Sequence, residues 1–153
     1  MASIALNSPS EPRAARTRKG FSLVELSVVV IIIGVLAAFG VPRLLQNVER
    51  SKASEAYNYL AAVRTAQERY YARQGTYAAD FADLDMTQSA PTYFDNPTTF
   101  TASGGGDLET SWQLTLTRAG ASSGYGAYTV TFNQDGFDSA NSDIPAAINP
   151  SQT

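Results

Sequence analysis

From Phe21 to Val41 the chain reads FSLVELSVVVIIIGVLAAFGV, and Glu25 is its one charge. Seventeen uncharged residues separate Glu25 from Arg43. As a helix they rise about 25 Å, at the low edge for a hydrocarbon core of roughly 30 Å. Adding Phe21 to Val24 closes the gap. From Leu44 to Arg73 the pattern changes to a helical stripe. Ala53, Ala56, Tyr57, Leu60 and Val63 follow i, i+3, i+4 spacing, and Tyr70 and Tyr71 extend it. Arg50, Lys52, Glu55, Arg64, Glu68 and Arg69 lie mostly off it. Gln74-Gly75 is a helix stop. The two segments predict one helix over 21–73, roughly 80 Å long at 1.5 Å per residue. That exceeds a small domain, so its apolar half needs lipid or other copies of itself.

Beyond Gly75 the period shortens. An acidic turn holds Asp80, Asp83 and Asp85. Residues 87–107 are rich in Thr, Ser, Pro and Gly and read as a loop, with one short strand at 98–102 and a glycine turn at 104–106. Residues 111–117 alternate polar and apolar. So do 128–132, with Tyr128, Val130 and Phe132 on one face and Thr129 and Thr131 on the other. A glycine-rich hairpin over 119–126 joins these strands, and the chain past Gly136 is a polar tail. The expected fold is α+β: a long N-terminal helix, apolar then amphipathic, packed on a small antiparallel sheet. The chain divides into a basic segment over 1–20, an apolar helix of membrane-spanning length over 21–43, and a globular head over 44–153. Within the head, a helix occupies 44–73, a loop 74–107, and sheet and tail 108–153.

Charge sharpens this division. Residues 1–20 carry Arg13, Arg16, Arg18 and Lys19 against Glu11. The remainder carries 7 basic and 13 acidic residues. The body is therefore acidic, a poor match for DNA or anionic lipid. Residues 74–153 hold one basic residue, Arg118, which argues against a nucleic-acid receptor. The chain has no Cys and no His. This excludes disulfides, Cys or His metal sites, thiol nucleophiles and Ser-His-Asp chemistry. No isolated carboxylate pair points to a cleft, and no enzyme activity is expected.

The apolar segment admits three readings. A secretory signal would place cleavage near Ala37 to Gly40, but Glu25 interrupts its start and no clean A-x-A site follows. A plain anchor leaves Glu25 unexplained, since an acid well inside a spanning helix costs about 2.5–3.5 kcal/mol. The third reading rests on Arg18-Lys19-Gly20-Phe21-Ser22-Leu23-Val24-Glu25-Leu26. This segment resembles the prepilin processing site of type IV pilins and pseudopilins: a short basic leader ending in Gly, then Phe, then Glu at the fifth mature position inside an apolar run. The resemblance covers 18–42 closely. Pro42 falls where many family members carry a helix-interrupting proline, and the Tyr-Tyr and Gly-Thr-Tyr elements around Gly75 also look like a pilin junction.

The resemblance implies a prepilin peptidase cutting between Gly20 and Phe21 on the cytoplasmic face, and N-methylation of Phe21. It implies single-pass residence in the bacterial inner membrane with a cytoplasmic N-terminus, to which the basic leader also points. It then implies polymerisation with copies of itself and other pilins on an inner-membrane assembly platform. The product is an extracellular pilus serving adhesion, motility or DNA uptake. Alternatives are a periplasmic pseudopilus of a type II secretion system, or a minor pilin acting as a surface receptor. Against the major pseudopilin, its proline-containing loop is absent and Gly75-Thr76-Tyr77-Ala78 stands there instead. Phe21, Glu25 and Pro42 are the assembly residues. Glu25 of one subunit can face the Phe21 α-amino group of a neighbour. Gly34, Gly40 and Pro42 suit either a locally unwound segment or a simple kink at the membrane surface.

No cofactor is expected, with one open question. Pilins often staple their C-terminal loop with a disulfide, which this chain cannot form. Asn133, Asp135, Asp138, Asn141 and Asp143 crowd eleven residues. Such oxygen ligands suit Ca²⁺, and some pseudopilins bind calcium in this loop. The spacing is not that of an EF-hand, and a turn with Asx caps accounts for the same residues.

Overall fold

A computed structural model describes residues 20–95, 98–120 and 124–152. The expected leader, but for Gly20, lies outside the described residues, as does the middle of the 119–126 hairpin. The chain divides into two units, Met1–Ala38 and Phe39–Thr153.

The dominant element is helix α1, Leu23–Gln74, 52 residues long. Among the described residues it is the one helix long and apolar enough to cross a membrane. In the first unit its Val, Ile and Leu side chains are all exposed. In the second unit it runs unbroken through Pro42, so neither a break nor an unwound stretch interrupts it here. The helix stops where the sequence signals. Gly75 adopts φ +75°, and its N–H donates to the Tyr71 carbonyl at 2.8 Å. This is the left-handed closing turn that glycine makes without a Cβ penalty.

The sheet has three antiparallel strands in the order β1 (Gln113–Thr117), β2 (Thr129–Asn133), β3 (Gly136–Phe137). Leu114 pairs with Phe132 and Leu116 with Val130, so period-2 alternation places these four side chains in the core. The helix contributes Ala53, Ala56, Tyr59, Leu60, Val63 and Ala66 to the same core. The α+β fold read from the pattern is the fold observed. Tyr59 rather than Tyr57 is the fully buried tyrosine of the stripe; Tyr57 is half-buried and packs edge-on against Phe132 at 5.4 Å.

Two strand expectations need correction. The strand expected at 98–102 consists of isolated bridges, Thr99 to Asp80 and Thr101 to Gln113. The two bridges reach different partners, so no continuous ladder forms. Thr131, expected on an outer face, is fully buried. The tail covers it: the Thr131 N–H donates to Ser142 Oγ at 2.9 Å and its hydroxyl to the Asn141 carbonyl at 2.7 Å. The alternation reports the two faces of the strand correctly, but the polar face is roofed by residues far along the chain.

The tail is packed to Asn149. Ile148 is fully buried, and Asn149 nearly so. Asn149 Oδ1 accepts from the Tyr57 hydroxyl at 2.7 Å, and Gln46 Nε2 donates to the Ala147 carbonyl at 2.8 Å. At the start of the loop, Gln67 is wholly buried and bonds both backbone groups of Ala78: Nε2 to the carbonyl at 3.1 Å, Oε1 from the N–H at 2.9 Å.

Candidate assembly segment and the charge cluster behind it

The residues expected to serve processing and assembly lie in α1 or just before it. Gly20 and Phe21 immediately precede α1, and Glu25 sits in its first turn. A Cβ added at Gly20 would meet nothing within 4 Å, so nothing in the fold requires glycine there. Phe21 is 75% exposed, and Glu25 is exposed with no ion-pair partner among the described residues. A carboxylate in the first turn is favoured by the free N–H groups of the helix start. Pro42 belongs to the second unit, inside the helix. These residues do not converge on a cleft. Around them in the first unit, the large apolar side chains from Phe21 to Leu36 all face solvent, and such a surface lowers its free energy only by being covered.

The sequence reading missed a second arrangement, at the base of the head. Glu49 and Arg118 are 1% and 3% exposed and bonded to each other, Oε1 to Nε at 2.5 Å. The second Glu49 oxygen accepts from Lys52 Nζ at 3.2 Å. The Tyr128 hydroxyl donates to Glu49 Oε1 at 3.2 Å. Arg118 Nη1 also donates to the carbonyls of Tyr93, at 3.1 Å, and Ala119. The Tyr93 ring lies 5.0 Å from Lys52 Nζ and 5.5 Å from the Arg118 guanidinium carbon, within cation–π range. The bond to Glu49 holds the Arg118 guanidinium above its ordinary value. Burial, then the Glu49 carboxylate, pushes the Tyr128 phenol up, so it stays a donor. The cluster ties the helix to both strands of the β1–β2 hairpin at its loop end, where Arg118 follows β1 and Tyr128 precedes β2. Its sequence signal was present: Glu49 continues the 53, 56, 60 stripe backwards, an acid on an apolar face, and Arg118 is the lone cation of the last eighty residues.

The oxygen-rich tail forms a cap around Asp138. Its Oδ1 accepts from the Ala140 and Asn141 N–H groups at 3.0 and 3.2 Å. Its Oδ2 accepts from the side-chain amides of Asn141 at 2.7 Å and Asn133 at 3.3 Å. Thus Asn133, Asp138 and Asn141 are brought together. Asp135 bonds Gln134 through its carboxylate, and the Asp143 N–H bonds Thr129. Among the described residues no three Asp or Glu side chains gather as a metal group. The Asn141 amide, foremost, holds the Asp138 carboxyl below its usual range. A lowered folded value means the cap is fully present above the ordinary carboxylate pKa of about 3.9. It is lost as pH falls through the lower folded value. Hydrogen-exchange protection of the Ala140 and Asn141 amides, corrected for intrinsic rate, should be constant from neutral pH down to about pH 4 and fall below it.

Comparison with known proteins agrees with this layout. The model of the prokaryotic N-terminal methylation motif matches residues 15–41. The model of the pilin family, described as a bacterial filament, matches residues 49–151. Fimbrial protein EcpC of Eikenella corrodens is 35% identical over 89 residues, 58% of either chain. Type IV major pilin protein PilA of Myxococcus xanthus is 45% identical over 65 residues, 42% of this chain and 29% of PilA. Type II secretion system core protein G of Escherichia coli is 35% identical over 80 residues, 52% of this chain and 55% of that protein. The matched stretch thus spans well under two thirds of each relative's length. No solved structure matches. With both its N-terminal motif and its head matched, the chain belongs to the pilin family.

Proposed function

We propose that this protein is the structural subunit of a type IV pilus-like surface filament. A peptidase removes the leader between Gly20 and Phe21, and Phe21 is N-methylated. The mature chain resides in the inner membrane through the apolar part of α1, with its N-terminus cytoplasmic, and then polymerises through that helix on an assembly platform. The observation that carries this reading is the exposure of every large apolar side chain from Phe21 to Val48. A surface of that size is stable only against lipid or other helices, and a subunit that moves from one to the other uses both. The chain is a substrate of modifying enzymes rather than an enzyme. A DNA-receptor role loses its one candidate contact outside the helix, because Arg118 is buried against Glu49.

A pseudopilin of a type II secretion system is the second reading, favoured by the similarity to core protein G. It loses ground at the helix exit, where Gly75-Thr76-Tyr77-Ala78 replaces the expected proline-containing loop. Shearing separates the two. Most mature chain should be recovered in filaments sheared from cells at native expression. Its confinement to the membrane and periplasm would assign the pseudopilus instead. Calcium at the tail stays a subsidiary proposal: titration of the head should leave the Asn133 and Asp138 resonances unmoved if the amide cap alone holds the loop.

A further inference from the structure

The cations of the second unit are almost all engaged. Arg118 and Lys52 hold Glu49. Arg69 and Arg73 hold Asp85, at 2.9 and 3.8 Å. Arg64 donates to the Gln134 carbonyl at 2.8 Å. Two remain, Arg43 and Arg50, with no side-chain partner among the described residues. They are seven residues apart on α1, so they lie on one face of the helix, about 10 Å apart along its axis. The head presents the opposite imbalance. Asp80, Asp83, Asp95, Asp107 and Glu109 are exposed, and none has an ion-pair partner among the described residues.

We propose that the Arg43–Arg50 stripe is an ionic docking surface for the acidic head of a second copy of this chain. The inference rests on the filament reading and adds to its apolar helix packing a polar contact that sets which head surface faces which helix. Each copy carries both halves of the contact, as a repeating head-to-tail interface requires. Anionic lipid headgroups are the competing occupant. A headgroup layer is only about 5–8 Å deep on each side of the bilayer. Arg43, next to the apolar segment, can reach it. Arg50, about 10 Å further along, stands beyond it, on a unit whose net charge is negative. Arg50 is therefore the discriminating residue.

The test compares cells whose sole copy carries Arg50→Glu or Arg50→Lys. Arg50→Glu should lower the yield of sheared filaments by about two- to five-fold, the scale of one exposed ion pair per subunit contact. Its amount in the membrane and the melting temperature of the detergent-solubilised chain should not change. Arg50→Lys should retain filaments. Treating these with a carbodiimide should couple the new amine to a head carboxylate. Filaments mixed from isotopically labelled and unlabelled subunits should then yield hybrid cross-linked peptides. Normal filaments from Arg50→Glu, or Arg50→Lys filaments with no hybrid peptide, would overturn the proposal while leaving the filament reading intact. Loss of Arg50→Glu from the membrane would overturn it in favour of the headgroups. If the unmodified chain enters no filament, the filament reading fails first and this contact falls with it.

Discussion

Replacing Glu25 with Val should leave the chain processed and resident in the membrane yet nearly absent from filaments. Glu25 lies in the first turn of α1, exposed and unpaired among the described residues. Valine removes an acid whose presence in a spanning helix costs up to about 2.5–3.5 kcal/mol, so insertion is kept or improved. What is lost, in the proposed filament, is the carboxylate that would face the α-amino group of a neighbour's Phe21. Removing one member of a charge pair buried among packed helices leaves the other unpaired, at roughly 3–5 kcal/mol. Each 1.4 kcal/mol is tenfold in affinity, so the variant's affinity for a filament end falls by about a hundredfold or more. Sheared fractions from a strain with Glu25→Val as its sole copy should contain almost none of it, while the membrane fraction holds the normal amount of shortened protein. Normal filaments from that strain would remove the assembly role assigned to Glu25.

The second large effect belongs to the head. Arg118→Met should destabilise the fold by about 3–5 kcal/mol, because Glu49 stays buried without its main partner. For a domain of this size that is about 10–20 °C in Tm. Lys52 and the Tyr128 hydroxyl remain beside the carboxylate, so the loss should be smaller than that of Glu49→Leu, which leaves the buried guanidinium with backbone carbonyls and the Tyr93 ring but no carboxylate. The double variant Glu49→Leu/Arg118→Met should recover most of the stability, since apolar packing replaces a buried pair at little or no net loss. Thermal melts of the detergent-solubilised chain and its three variants provide the cycle. A single variant that melts like the parent would show the pair to be dispensable.

Much of this was legible in the sequence because the signals were local. The apolar run, the Ala-Leu-Val stripe, the Gln74-Gly75 stop and the alternation at 111–117 and 128–132 each report the environment of one element, and the two strands lie within two residues of where the alternation places them. What was not legible depends on contacts between different elements, which no single element's pattern reports. Thr131 reads as solvent-facing until residues 138–143 cover it. Glu49 and Arg118 are 69 residues apart, and neither alone declares a partner. Gln67 reads as an ordinary polar helix residue, yet it is buried to hold the backbone of Ala78. The assembly segment shows the reverse. Its motif was fully readable, while the fold adds only that nothing among the described residues covers it, as expected if its contacts are with other molecules.

In the proposed filament, residues 21–41 stay with the mature protein and form its core. Intact-mass and N-terminal peptide analysis of the chain from sheared filaments and from membranes decides whether they do. The expected product is a mature chain beginning at Phe21, carrying one methyl group on its α-amine, and abundant in the sheared fraction. A chain beginning near Ala38 to Val41, or one that retains its leader, would contradict it and return the apolar segment to a secretory signal or a plain anchor.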